Sequence, residues 1–127
     1  MAIQGLTDDT RAFIAQSFDS VESIELLLLF RRSPNTFWSA HAAAEIIGVR
    51  DEIAERKITA LASAKLLQPA ETTGAYRYAP ATEELARRVE VLVEAYSTRR
   101  AEVINTIYSA NLERLRAFSN AFKLKGE

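Results

Sequence analysis

The chain has 127 residues, 48% apolar and 26% charged, so it reads as one globular domain with enough apolar side chain for a sizeable core. Lysine and arginine number 16 against 17 acidic residues, and the resulting net charge of −1 excludes a global attraction for nucleic acid or anionic membrane. There are no cysteines, which excludes disulfides, thiolate metal sites and cysteine nucleophiles.

The opening MAIQGLTDDTRAF lacks the basic stretch followed by an apolar one that marks a signal peptide. The most apolar run, Leu26 to Phe30, is far shorter than the roughly 20 residues that span a bilayer, and it is bounded by Glu25 and by Arg31 and Arg32. A cytoplasmic protein with no membrane partner is expected.

Thr7-Asp8-Asp9 offers a cap and an acidic first turn, and Phe13, Ile14 and Phe18 follow at helical spacing, so a helix is predicted over residues 8–18. Asp19 to Glu22 reads as a capping box with Asp19 at the cap. The helix it opens carries Val21, Ile24, Leu27 and Leu28 and stops before Pro34. Its leucine run is apolar nearly all round, which predicts a central position. Thr36-Phe37-Trp38 is extended in character. Ser39 then caps a helix from Ala40 to Ile47 whose buried side is Ala43, Ala44 and Ile47, and Gly48 supplies the left-handed stop. A further helix after Arg50-Asp51 shows Ala54, Ile58, Leu61 and Leu66 on one face. Two modest helices joined by a tight glycine turn are the helix-turn-helix signature.

Residues 66–70 and the alternating Tyr76-Arg77-Tyr78 flank a polar turn around Gly74, which predicts a two-stranded hairpin between about 66 and 79, with Pro69 at an edge. Thr82-Glu83-Glu84 starts a long helix whose stripe Leu85, Val89, Leu92, Tyr96, Val103 and Ile107 runs over about 25 residues at mixed three-and-four spacing, interrupted at Arg99. A last helix over about 112–122 carries Leu112, Leu115, Phe118 and Phe122.

The fold class is therefore mainly α: a winged helix-turn-helix with one short β-hairpin wing and long C-terminal helices. Residues 1–127 form a single domain, with a winged-helix core over about 20–80 and dimerisation helices over 82–122. Ser39 to Leu67, reading SAHAAAEIIGVRDEIAERKITALASAKLL, followed by YRYAP, resembles the winged-helix domain of bacterial transcription regulators such as the MarR and PadR families. The resemblance covers about half the chain and rests on core positions, so it speaks more to fold than to function. It implies that the second helix of the pair meets DNA. There the chain departs from the pattern: Glu52, Ile53, Glu55 and Arg56 stand where serine, threonine, glutamine or arginine are usual. Lys65 likewise stands where a glycine commonly precedes the first wing strand.

The resemblance points to a DNA-binding transcriptional regulator acting as a homodimer, with double-stranded DNA contacted by Arg50, Arg56, Lys57 and Thr59 on the helix and Arg77 on the wing. Leu85, Val89, Leu92, Tyr96, Phe118 and Phe122 make the expected dimer interface. The alternative is a non-catalytic protein-protein interaction module on the same scaffold, its partner another protein; the acidic second helix favours it. His41, the one histidine, reads as a surface or helix-capping residue. Trp38 reads as a plug between the leucine helix and the hairpin, and Tyr76 and Tyr78 as packing on one face. No phosphate loop, nucleophile elbow or histidine-carboxylate pairing is visible, so catalysis, a metal and a cofactor are not expected.

Overall fold

The computed structural model describes residues 6–126, with side chains through residue 121. Thr7 caps the first helix, α1 (Asp8–Ser17), by accepting from the Thr10 N–H at 3.1 Å, while Asp8 and Asp9 place negative charge at its positive end. α2 (Val21–Arg32) begins one residue later than the Asp19 cap would have it. Ser20 is the cap: its Oγ accepts from the Ser23 N–H at 3.2 Å, and the Ser23 hydroxyl donates back to the Ser20 carbonyl at 2.7 Å. A serine pair that satisfies two groups at once outcompetes the aspartate, and Asp19 is left to pair elsewhere.

α3 (Ala40–Ile47) has the predicted bounds and its cap, Ser39, accepts from the Ala42 N–H. It stops at Gly48, whose φ of +88° is the left-handed conformation the turn requires. α4 (Asp51–Ser63) follows and packs on α3, burying Ala54, Ile58 and Leu61. Leu66, predicted on the same face, is buried too, but beyond the end of the helix. The chain leaves α4 through Lys65 at φ +71°, the left-handed turn that a glycine would have made without strain. β1 (Leu67–Pro69) and β2 (Tyr76–Tyr78) then pair antiparallel, with Leu67 opposite Tyr78 and Pro69 opposite Tyr76. On the other side of β2, Trp38 and Tyr76 exchange backbone hydrogen bonds of 2.7 and 2.9 Å, so the extended piece before α3 forms a third, one-residue rung of the wing.

The long C-terminal helix departs from the expectation. α5 (Glu83–Thr98) ends at Arg99, and α6 (Arg100–Gly126) begins at once, so the break falls at residue 99 rather than near 110. Arg99 alone leaves helical geometry, at φ −137° and ψ 47°. The bend lays α6 back along α1 and buries Val103 and Ile107.

The elements fall into two packed sets. α2 holds α3, α4 and β2, while α1 holds α5 and α6. One continuous apolar cluster joins them, running from Phe13, Ile14 and Phe18 through the leucines of α2 to Val89, Leu92 and Val103. The order helix, extended rung, helix, tight turn, helix, hairpin makes the fold a winged helix-turn-helix with two added C-terminal helices.

Two backbone positions give a direct check. A Cβ on Gly48 meets nothing within 4 Å, so Gly48→Ala tests conformation alone, and unfolding should show a loss of about 1 kcal/mol. Lys65→Gly should act in the opposite sense, raising stability by roughly 0.5–1 kcal/mol in a urea titration, because relief of left-handed strain exceeds the added chain entropy.

Candidate nucleic-acid interface

α4 presents its outer side to solvent. Glu52, Glu55, Arg56, Thr59 and Ala60 are all exposed, while Ala54, Ile58 and Leu61 face the core. That division follows from the three-and-four spacing of the apolar residues, which leaves these five side chains on the opposite side of the helix. Arg50 stands just before the helix, 3.8 Å from the Glu52 carboxylate and largely exposed. Arg56 is exposed on the first turns. The Thr59 hydroxyl donates to the Glu55 carbonyl at 2.8 Å, a local bond that still leaves its oxygen facing out.

Lys57 does not join them. Only 11% of its side chain is exposed, and its ammonium lies 3.2 Å from Asp19 at the corner between α1 and α2. The expected DNA contact is a tie between α4 and that corner. A groove of about 410 Å³ opens beside this tie, with Phe18, Asp19, Ser23, Ala60 and Arg114 among its walls. With Lys57 turned inward, the exposed charges over residues 50–67 are Arg50, Arg56 and Lys65 against Asp51, Glu52 and Glu55, and the surface is neutral.

Arg77 lies on β2 rather than at the wing tip. Its guanidinium donates to Gln68 across the hairpin at 2.8 Å and sits 5.7 Å from the centre of the Phe37 ring. Phe37 is half exposed, so the pair forms a held cation at the root of the wing. The tip itself, Glu71-Thr72-Thr73-Gly74, is exposed and carries no cation. Neither Asp19 nor Phe37 was singled out from the sequence for these pairings. Both act across long chain separations that leave no local pattern.

His41 ties the two helices of the turn together. Its Nδ1 donates to Asp51 Oδ2 at 2.8 Å, and Nε2 lies 3.5 Å from Glu45. The hydrogen bond to Asp51 first, then the charges of Asp51 and Glu45, hold the imidazole above its ordinary value of 6.5. Among the described residues, no group of three or more His, Asp or Glu side chains is arranged to hold a metal ion.

The C-terminal stripe is divided. Val89, Leu92 and Tyr96, expected at a dimer surface, lie in the chain's own core, and Leu85 packs against that core. α5 spends its apolar side against α1 and the shared core, which the one-dimensional stripe did not reveal. Beyond α5, Tyr108, Leu112, Leu115 and Phe118 are 51–67% exposed on α6. The side chain of Phe122 lies outside the described residues. Among the described residues, no helix is long and apolar enough to cross a membrane.

No family model and no curated protein matches the chain. Among solved structures it is similar to the homodimeric winged helix-turn-helix DNA-binding domain, fragment 1–100, of a possible ArsR-family transcriptional regulator from Mycobacterium bovis. The two share 21% identity over 74% of this chain and 93% of that one, with a TM-score of 0.49.

The His41 pairing has a signed pH dependence. Because the folded-state value is raised, its stabilising contribution is present in full below the unfolded value and is lost as pH rises through the folded one. The His41 ring protons should titrate above 6.5 by NMR, and Asp51→Asn should bring the midpoint down, since it removes the largest of the causes.

Proposed function

We propose that the protein is a DNA-binding transcriptional regulator of the winged-helix type, similar in design to the MarR and PadR families, and that it acts as a homodimer. The observation that carries the reading is the free outer side of α4: no other part of the described chain covers Glu52, Glu55, Arg56 and Thr59. A second helix held in this way by a tight turn is the element that enters a major groove. Arg50, Arg56 and Thr59 are the contacts on the helix, and Arg77, braced by Phe37, meets the backbone from the wing root. Lys57 serves the fold instead. The dimer forms through α6, where the apolar side chains of Tyr108, Leu112 and Leu115 are exposed.

The neutral surface around α4 and the cation-free wing tip favour a second reading, a protein-interaction module that offers the same helix to a partner protein. Binding to generic duplex DNA over a salt series separates the two. With Arg50, Arg56 and Arg77 from each protomer, the log–log slope should be about −5, shallow for a dimeric regulator. Glu52→Gln with Glu55→Gln should strengthen generic binding several-fold by removing repulsion, and Arg56→Ala should weaken it. Lys57→Ala should lower stability without changing the salt slope. Absence of binding at low salt would replace the regulator with the interaction module.

A further inference from the structure

The outer side of α4 carries more carboxylate than its own folding uses. Asp51 is bonded to His41 at 2.8 Å, and Glu52, in the first turn, lies 3.8 Å from Arg50 and at the positive end of the helix dipole. Asp19, which faces α4 from the corner between α1 and α2, holds Lys57. Glu55 has no comparable role. Its carboxylate is exposed and makes no hydrogen bond or ion pair among the described residues. It stands three residues after Glu52 and four after Asp51, positions at which like charges oppose helix formation. Arg56 beside it is equally open. Glu52 lies one turn back, in the favoured order for an ion pair, yet the Arg56 guanidinium pairs with nothing among the described residues. An unpaired carboxylate and an unpaired guanidinium thus stand next to each other on a helix side that no other described part of the chain covers.

The two groups are opposite in hydrogen-bonding character: a carboxylate only accepts and a guanidinium only donates. In a major groove, guanine shows two acceptors, O6 and N7, which an arginine matches with two bonds. Cytosine shows a donor, its N4 amino group, with no acceptor beside it. Thymine offers O4 and a methyl group, and adenine sets its N7 acceptor next to its N6 amino group, so a carboxylate that approaches either meets a lone pair. The neighbouring positions do not compete for the same edges. Ala60 is small and exposed, and the Thr59 hydroxyl proton is already given to the Glu55 carbonyl at 2.8 Å. Building on the DNA-binding reading above, we infer that Glu55 and Arg56 make the protein selective for G·C pairs, Glu55 taking the N4 amino group of a cytosine and Arg56 the O6 and N7 of a guanine. The repulsion that Glu55 exerts on phosphate is then offset only at sites that present the amino group, which widens the gap between specific and generic binding.

Selection from a randomised duplex library with the full chain at low salt, followed by competition between the selected duplex and its single-base variants, tests the assignment. The selected sites should hold a cytosine and a guanine at fixed positions, and exchanging either base should weaken binding by on the order of tenfold. Glu55→Gln carries the deciding readout, because a glutamine amide both donates and accepts and so matches N6 and N7 of adenine. That variant should bind generic DNA more tightly and change its preference at one position from cytosine to adenine. Arg56→Ala should lose the preference for guanine and keep the one for cytosine. Both side chains are exposed, so the circular dichroism of each variant should match that of the parent. If Glu55→Gln raises affinity for every duplex alike and no position changes, or if the selected sites hold no fixed cytosine, the base assignment is overturned and the regulator stands. If no duplex is retained at low salt, both are overturned.

Discussion

Everything in the fold is arranged to cover α2. Ile24, Leu26, Leu27, Leu29 and Phe30 are all buried, and they point around nearly the whole circumference of the helix. A single facing element covers one stripe of about 100° and no more. α2 therefore needs neighbours on several sides, and it has α3, α4 and β2 against it with α1 and α5 completing the cluster. Each such side chain withdrawn from water contributes roughly 1.5–3 kcal/mol, so the helix-turn-helix and the terminal helices are stabilised by the same few residues.

Polar ties set the angles at which those neighbours meet. Arg31 at the end of α2 donates twice to Glu90 of α5, at 2.8 and 2.6 Å. Arg88 of α5 reaches back to Asp9 of α1 at 3.2 Å, and the Tyr96 hydroxyl donates to Glu25 at 2.6 Å. Burial first, and then the Glu25 carboxylate, push the Tyr96 hydroxyl up to about 12, so it remains a donor across the ordinary pH range. Exposed pairs of this kind are worth little in stability, and their contribution here is register. They explain why so many of the chain's cations are unavailable at its surface: Arg31, Arg88 and Lys57 are each committed to an internal carboxylate.

The helix-turn-helix was legible because its signals are local. Ser39, Gly48, the alanines of α3 and the spacing of Ala54, Ile58 and Leu61 act within one or two turns of themselves, as do Gly74 and the alternating tyrosines of the wing. The Ser20 cap was misplaced by one residue because Asp19 and Ser20 are both good caps and only the Ser20–Ser23 exchange decides between them. The bend at Arg99 showed in the sequence only as an interruption of the apolar stripe, because the packing of α6 on α1, about 90 residues away in the chain, leaves no local pattern. The candidate site was legible in position but not in membership. Arg50, Arg56 and Thr59 are outward by periodicity alone, whereas the inward turn of Lys57 depends on Asp19, and the bracing of Arg77 depends on Phe37. The stripe of α5 was seen correctly as apolar; that its partner is the same chain is a fact about the third dimension.

The rung between Trp38 and Tyr76 has a mechanical meaning. Trp38 immediately precedes the cap of α3, and its two backbone bonds fasten that point to the central strand of the wing. The root of the wing and the start of the helix-turn-helix are thus one lever, pivoting together about α2. Past Ala75, the tip has no comparable fastening beyond the Ala70–Ala75 bond and is left to bend by itself. Whatever the tip touches can deflect it without disturbing α4, whereas a push on the Phe37–Arg77 root is transmitted to the helix that lies two elements away.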